Sequence, residues 1–144
     1  MTHQFKGERT LMRIFVGESD RCPAGPYRGR PLCDAILSLL RERGFAGATA
    51  VRAIAGFGAS AKLHTGKVLR LSTDLPVIVE VVDREARIQS VLPELDRMIG
   101  GGLITLERAR VIMYRPGDVP EDERWRHRVE GLEAVKDPEQ GTRP

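Results

Sequence analysis

Aromatic side chains make up only 5% of this 144-residue chain. So few rings leave no stacking platform for single-stranded nucleic acid, and no zinc-finger or helix-turn-helix spacing is present. The reading is therefore of a protein without a nucleic-acid partner. Cysteine is scarcer still. Cys22 and Cys33 have no companion pair, so they form neither a zinc framework nor a Cys-x-x-Cys redox motif. Reactive thiols need an exposed, electropositive setting, and both cysteines read as structural. The three histidines, His3, His64 and His127, are too far apart for a zinc site to be read from spacing. No apolar run approaches the ~18 residues of a membrane span. The first nine residues lack the apolar stretch of a signal peptide. A cytoplasmic protein that does not insert into a membrane is expected.

What is present fits a globular domain: 41% apolar and 30% charged residues, with a net charge of +3. That charge is uneven. Residues 115–144 hold six basic and eight acidic side chains and carry −2, so the remainder carries +5. The organisation expected is an N-terminal extension over 1–10, a folded domain over 11–114 and a tail over 115–144. In the tail, a short helix through Trp125 precedes a frayed end.

Within the domain the first strand is expected at Leu11–Val16, apolar on both faces except for Arg13. Residues 17–30 are punctuated by glycine and proline as a loop. Pro31 suits a helix start. Leu32, Ala35, Ile36, Leu39 and Leu40 form an i, i+3, i+4 stripe, and Gly44 stands where a C-terminal cap belongs. A second strand is expected over Ala48–Ala55 and a third over Pro76–Val82. Asp83 is read as the cap of a second helix, with Ile88, Val91, Leu92, Leu95 and Ile99 on its stripe. Pro93 lies inside that stripe at a cost of about 3 kcal/mol in a regular helix, so a kink or a helix in two pieces is expected. Gly100-Gly101-Gly102 ends it, and a fourth strand falls within Leu103–Tyr114.

The order β-α-β, long loop, β-α-β predicts an α+β fold, a ferredoxin-like double βαβ sandwich with a long loop between strands 2 and 3. Right-handed crossovers place both helices on one sheet face. Strands 1, 2 and 3 carry apolar side chains on both faces, which signals burial on both. One helix layer cannot supply that, so sheet-to-sheet association of copies is expected.

The candidate sites follow from glycine and charge. Gly56-Phe57-Gly58 ends the second strand and opens the long segment to Asp74, which holds Lys62, His64, Lys67 and Arg70. Four cations on a long connection suit an anionic ligand or partner. Gly56 to Ala61 formally fits G-x-G-x-x-A, but the chain has too few βα units for a dinucleotide fold. Gly100-Gly101-Gly102 most simply caps the second helix. Three glycines exceed that need, and their N–H groups suit an anion-binding nest. Thr105 and Arg108 would add a hydroxyl and a guanidinium to it, and Arg52 or Arg108 a countercharge. Glu18 and Asp20 suit a metal, with His64, or a ribose hydroxyl. No Ser/His/Asp or Cys/His arrangement stands out, so no catalytic residue is named.

Leu11-Met12-Arg13-Ile14-Phe15-Val16-Gly17-Glu18, Gly47-Ala48-Thr49-Ala50-Val51-Arg52, Gly56-Phe57-Gly58, Leu75-Pro76-Val77 and Val82-Asp83 together resemble the PII-like family of domain of unknown function 190, over about Leu11 to Tyr114. The resemblance implies a relative of PII signal transducers: homotrimers that bind adenine nucleotides (ATP, ADP, AMP) between subunits. Gly56 to Asp74 would correspond to their partner-contacting T-loop, and Gly100 to Gly102 to their phosphate loop. A membrane transporter or an enzyme is the partner such a likeness implies. Gly56 to Asp74 contains no tyrosine, so tyrosine modification does not carry over. Two other readings of the same fold are a metal-binding or metal-tolerance trimer using Glu18, Asp20 and His64, and a nucleotide hydrolase working in the same clefts.

Overall fold

A computed structural model describes residues 7–58 and 74–114. Its elements are β1 (Glu8–Gly17), α1 (Leu32–Glu42), β2 (Thr49–Arg52), β3 (Pro76–Asp83), α2 (Glu85–Met98) and β4 (Leu103–Arg110). The four strands form one sheet in the order β2-β3-β1-β4, with every neighbouring pair antiparallel. This is the expected α+β, ferredoxin-like double βαβ architecture.

Strand alternation sorts the side chains. Thr10, Met12, Ile14 and Val16 of β1, and Val77, Val79, Val81 and Asp83 of β3, face the helices and are buried. They meet Leu32, Ala35, Ile36, Leu39 and Leu40 of α1 and Ile88, Val91, Leu95 and Met98 of α2. Each fully buried Leu, Ile or Val contributes about 1.5–3 kcal/mol, so this layer dominates the stability of the fold.

α1 ends as its sequence predicts. Gly44 takes φ +78°, its N–H donates to Arg41 O at 3.2 Å, and Phe45 N–H donates to Leu40 O at 3.1 Å. These are the paired bonds of a Schellman cap, and Phe45 is buried behind it. The start differs by one position, since Pro31 is the N-cap residue and Leu32 the first helical one. Leu32 N–H donates to Asp20 O at 2.8 Å, which ties the preceding loop to the helix.

Several expectations are corrected. β1 begins at Glu8 rather than Leu11, because the far end of β4 pairs with it, Glu8 opposite Arg110. β2 is four residues long, not eight. It pairs on one side only, and by Ile54 the chain is 95% exposed. α2 is one helix of fourteen residues with Pro93 inside. The carbonyl that Pro93 leaves without a donor belongs to Gln89, and both residues are exposed to water, which satisfies that group. Asp83 does not cap α2 in the expected way. Arg84 is the N-cap residue, and Asp83 stands one place before it, 1% exposed. Its Oδ1 accepts from Arg84 N–H at 2.7 Å and lies 3.5 Å from Arg87 Nε. α2 does not end on a left-handed glycine. Its C-cap is Ile99 in extended conformation, and none of Gly100, Gly101 and Gly102 lies in the positive-φ region.

Among the described residues no helix covers the opposite face of the sheet. One line of cross-strand neighbours on it is wholly apolar: Val51, Ile78, Phe15 and Leu103. Val51 is 47% exposed and Leu103 56%. The next line is polar: Thr49, Glu80, Arg13 and Thr105. Arg13 Nε lies 2.9 Å from Glu80 Oε1, and its Nη1 lies 3.1 Å from Glu107 Oε1, one position along β4 on the same face. The two carboxylates raise the Arg13 pKa above its ordinary value, the hydrogen bond to Glu80 first.

Candidate ligand-binding edge

β1 and β2 end, and β3 and β4 begin, at one end of the sheet. That end therefore collects Gly17–Asp20, Arg52–Gly58, Asp74–Pro76 and Gly100–Leu103. It brings together most of the positions that sequence alone marked for a ligand.

Arg52 and Glu18 meet there, Nη2 to Oε2 at 2.9 Å. Glu18 N–H donates to Leu75 O at 2.9 Å, and Ser19 N–H to Asp74 Oδ1 at 2.9 Å. Asp20 Oδ2 accepts from Gly17 N–H at 2.8 Å and closes the turn. A Cβ on Gly17 would stand 2.8 Å from Asp74 Oδ1 and 3.1 Å from Asp20 Oδ1, so glycine lets both carboxylates approach. Glu18 and Asp20 are thus engaged by Arg52 and by the backbone. Among the described residues no three His, Cys, Asp or Glu side chains cluster as metal ligands. His64, like Lys62, Lys67 and Arg70, lies outside the described residues, as do Trp125 and the tail.

Gly56 packs on Pro76, where a Cβ would lie 2.9 Å from Pro76 Cγ. Phe57 is 68% exposed beside it. On the other side of the sheet, the three glycines after α2 differ from one another. A Cβ on Gly102 would fall 2.6 Å from Phe15 O, whereas Gly100 and Gly101 face open space. Gly102 is therefore required by packing, and Gly100 and Gly101 present accessible main chain.

Two placements correct the sequence reading. Thr105 pairs with Arg13 on the open face, and Arg108 pairs with Thr10 on the helix side. Arg108 is six residues beyond Gly102, roughly 20 Å at the rise of a strand. Neither joins Gly100–Gly102 within one copy. Moreover β2 and β4 are the two outer strands, so Arg52–Gly58 and Gly100–Gly102 stand about 14 Å apart across the sheet. The candidate positions therefore fall into two groups at opposite corners of the edge. The described part of it is also acidic, with Glu18, Asp20 and Asp74 against Arg52, which composition does not reveal.

Tyr27 was not singled out by sequence. It is buried in the loop before α1, with the Arg30 guanidinium 5.6 Å from its ring centre. Burial pushes its hydroxyl up to about 12, and the Glu42 carboxylate acts in the same direction. Cys22 is buried nearby, its thiol 3.3 Å from Ala24 O. Burial also raises the Cys33 thiol pKa. Both support structural roles.

Among the described residues no helix is long and apolar enough to cross a membrane. In solved structures the chain is similar to CPII bound to ADP and bicarbonate, from Thiomonas intermedia K12, at 15% identity, 76% of this chain, 92% of that chain and a TM-score of 0.48. It is also similar to CPII bound to ADP, AMP and acetate from the same organism, at 14% identity over 76% of this chain and 91% of that chain, TM-score 0.44. In sequence it is 38% identical to a UPF0166 protein of Aquifex aeolicus over 105 residues, 73% of this chain and 94% of that protein. It is 33% identical to a UPF0166 protein of Methanocaldococcus jannaschii over 102 residues, 70% of this chain and 89% of that one. The DUF190 family model, described as Uncharacterized ACR, matches residues 9–111. The chain, with its βαββαβ fold and its glycine-edged sheet end, belongs to the DUF190 family.

Proposed function

We propose that this chain is a PII-like regulatory protein that acts by binding rather than turnover. Copies associate through the open sheet face as a homotrimer, the assembly implied by its resemblance to PII transducers. An anionic small molecule, with adenine nucleotides (ATP, ADP, AMP) as the fitting class, occupies each cleft between copies. The segment with Lys62, His64, Lys67 and Arg70 is presented to a partner protein, either a membrane transporter or an enzyme.

The observation that carries this reading is the pair of groups at one sheet end, which we read as half-sites. Gly100 and Gly101 offer main-chain donors and Arg52 a guanidinium, while Glu18 and Asp20 offer acceptors for ribose hydroxyls. A nucleotide needs both kinds of group. The distance between half-sites within one copy favours a cleft completed by a second copy. The apolar line Val51–Ile78–Phe15–Leu103, exposed at Val51 and Leu103 and half-buried between them, supports association, because apolar surface open to water marks interaction sites.

The test is thermal melting of the full chain against ATP, ADP, AMP and divalent metals, with product analysis after long incubation. A ligand of the folded state at a hundred times its Kd stabilises by about 2.7 kcal/mol. A nucleotide-specific rise without product, lost in Gly101→Val, is expected. A rise with metal alone would move the reading to the metal-binding trimer, and product formation to the hydrolase.

A further inference from the structure

The helix layer stops short of β4. On the helix side of the sheet Met12 is 0% exposed, while Leu106, its neighbour across the β1–β4 pair, is 39% exposed. Strand alternation puts Ile104, Leu106, Arg108 and Arg110 on that same side. Ile104 still packs against the core. Beyond it β4 presents a strip that is apolar at Leu106 and cationic at Arg108 and Arg110. Both arginines are exposed. Among the described residues neither forms an ion pair, although Glu8 stands opposite Arg110.

The chain leaves the domain beside the cationic end of this strip. Tyr114 is half-buried, and burial first and then the Asp83 carboxylate raise its pKa above the ordinary value. Its hydroxyl therefore lies within the field of Asp83. Asp83, Thr10 and Arg108 stand in one line across β3, β1 and β4, so Arg108 is two strand spacings, about 10 Å, from Asp83.

The sequence beyond Tyr114, which lies outside the described residues, complements the strip in the same order. Asp118, Glu121, Asp122 and Glu123 come first, with no basic residue among them. Trp125, the only tryptophan of the chain, follows two positions after the last acid. Asp118 is four residues past Tyr114 and Glu123 nine, a reach of about 14 to 30 Å in extended chain, which spans the way to Arg108. Leu106 is then two residues back along β4 from Arg108, roughly 7 Å.

From this juxtaposition we infer that residues 118–125 of this chain dock on the helix side of β4: their carboxylates meet Arg108 and Arg110, and Trp125 covers Leu106. The indole supplies most of the affinity, because large aromatic side chains dominate packing energetics. The arginine–carboxylate contacts fix the direction, with residues 118–125 running back along the strand. The remainder of the chain carries +5 and residues 115–144 carry −2, so the attraction also acts before contact. This surface is separate from the nucleotide edge, and the inference stands whether or not a nucleotide binds there.

Trp125 is its own reporter. The experiment records its emission maximum and its quenching by acrylamide in the full chain, against the same chain unfolded in guanidinium, with circular dichroism to confirm that each variant folds. The wild type is expected to emit to the blue of the unfolded chain and to resist quenching. Arg108→Glu with Arg110→Glu should lose both signals, as should Glu121→Lys and Asp122→Lys with Glu123→Lys. Combining the two sets reverses both sides of the contact and should restore the signals. Leu106→Gln should lose the blue shift while the domain stays folded. A wild type whose tryptophan is quenched as in the unfolded chain overturns the inference. So does protection that survives Arg108→Glu with Arg110→Glu, which would put the indole on another surface. Protection that falls on dilution also overturns it, since the strip would then hold residues of a second copy.

Discussion

Phe15 and Gly102 touch through the main chain: the oxygen of Phe15 lies 2.6 Å from where a Cβ on residue 102 would stand. β1 therefore leaves no room for any side chain at that position. Gly102→Ala is expected to lower stability by about 1–3 kcal/mol, as overpacking does. Gly100→Ala and Gly101→Ala, which point into open space, should stay within about 0.5 kcal/mol. Urea unfolding of the three variants checks this. Equal losses at all three would mean that the run is held by something other than β1.

Asp83 is buried, with Oδ1 shared between Arg84 N–H and Arg87. Arg87 also donates to Gly44 O through Nη1, so the same guanidinium links β3 to the end of α1. Asp83→Ala strands the Arg87 charge and should cost about 3 kcal/mol. Asp83→Asn keeps an acceptor for Arg84 N–H and should cost less. Denaturant midpoints of the two variants test the ordering.

Arg52 and Glu18 form an exposed pair, worth about 1 kcal/mol or less to stability. Arg52→Met should therefore leave the melting temperature nearly unchanged in the absence of ligand. It should weaken binding of ATP, ADP or AMP about tenfold, the loss of one charge-assisted contact. Glu18→Gln frees the guanidinium but removes an acceptor, so calorimetric enthalpies of the two variants should move differently. Unchanged affinity in Arg52→Met would remove Arg52 from the site.

Tyr27 holds its proton up to about pH 12 in the folded chain, against an ordinary value of 10.0. The folded state thus keeps a proton that the unfolded state releases. The associated stability is complete below about pH 10 and is lost as pH rises toward 12. Tyr27→Phe removes this dependence, so the difference in unfolding free energy between wild type and variant should narrow over that window. A constant difference from pH 8 to 12 would contradict the burial of the hydroxyl.

Pro93 sits exposed within α2. Pro93→Ala restores a hydrogen bond to Gln89 O and is expected to raise stability by about 1 kcal/mol or more, within the ~3 kcal/mol span of helix-interior proline. Thermal melting shows the gain, and a decrease would mean that the ring makes a contact α2 needs.

Local signals were legible in the sequence wherever one element decides the outcome. The stripe from Leu32 to Leu40 gave α1, and Gly44 gave its end, because periodicity and positive φ depend on neighbours alone. The βαβ order likewise announced both helices on one face of the sheet, because the crossover sense follows from local chain twist. Signals that depend on strand order were not legible. Arg13 is 67 residues from Glu80 and 94 from Glu107, and only the order β3-β1-β4 joins them. Thr105 and Arg108 looked like companions of the glycine run. Strand alternation sends them to opposite faces, and strand rise carries Arg108 away. β2 was read too long because small and apolar residues continue past Arg52, although β3 offers Ala53 only one more bond, from its N–H to Pro76 O at 2.8 Å.

Both roots of the segment after β2 are fastened to one short stretch of chain. Its entry is tied through Arg52 to Glu18, and its exit through Asp74 to Ser19 and through Leu75 to Glu18. The span to be bridged is therefore set by residues 17–19 and not by the segment itself. Closing a longer loop between fixed ends costs only about 0.6 kcal/mol per doubling of length. The sheet end thus works as a socket: its insert can be exchanged, lengthened or rewritten in charge with little penalty to the domain that holds it.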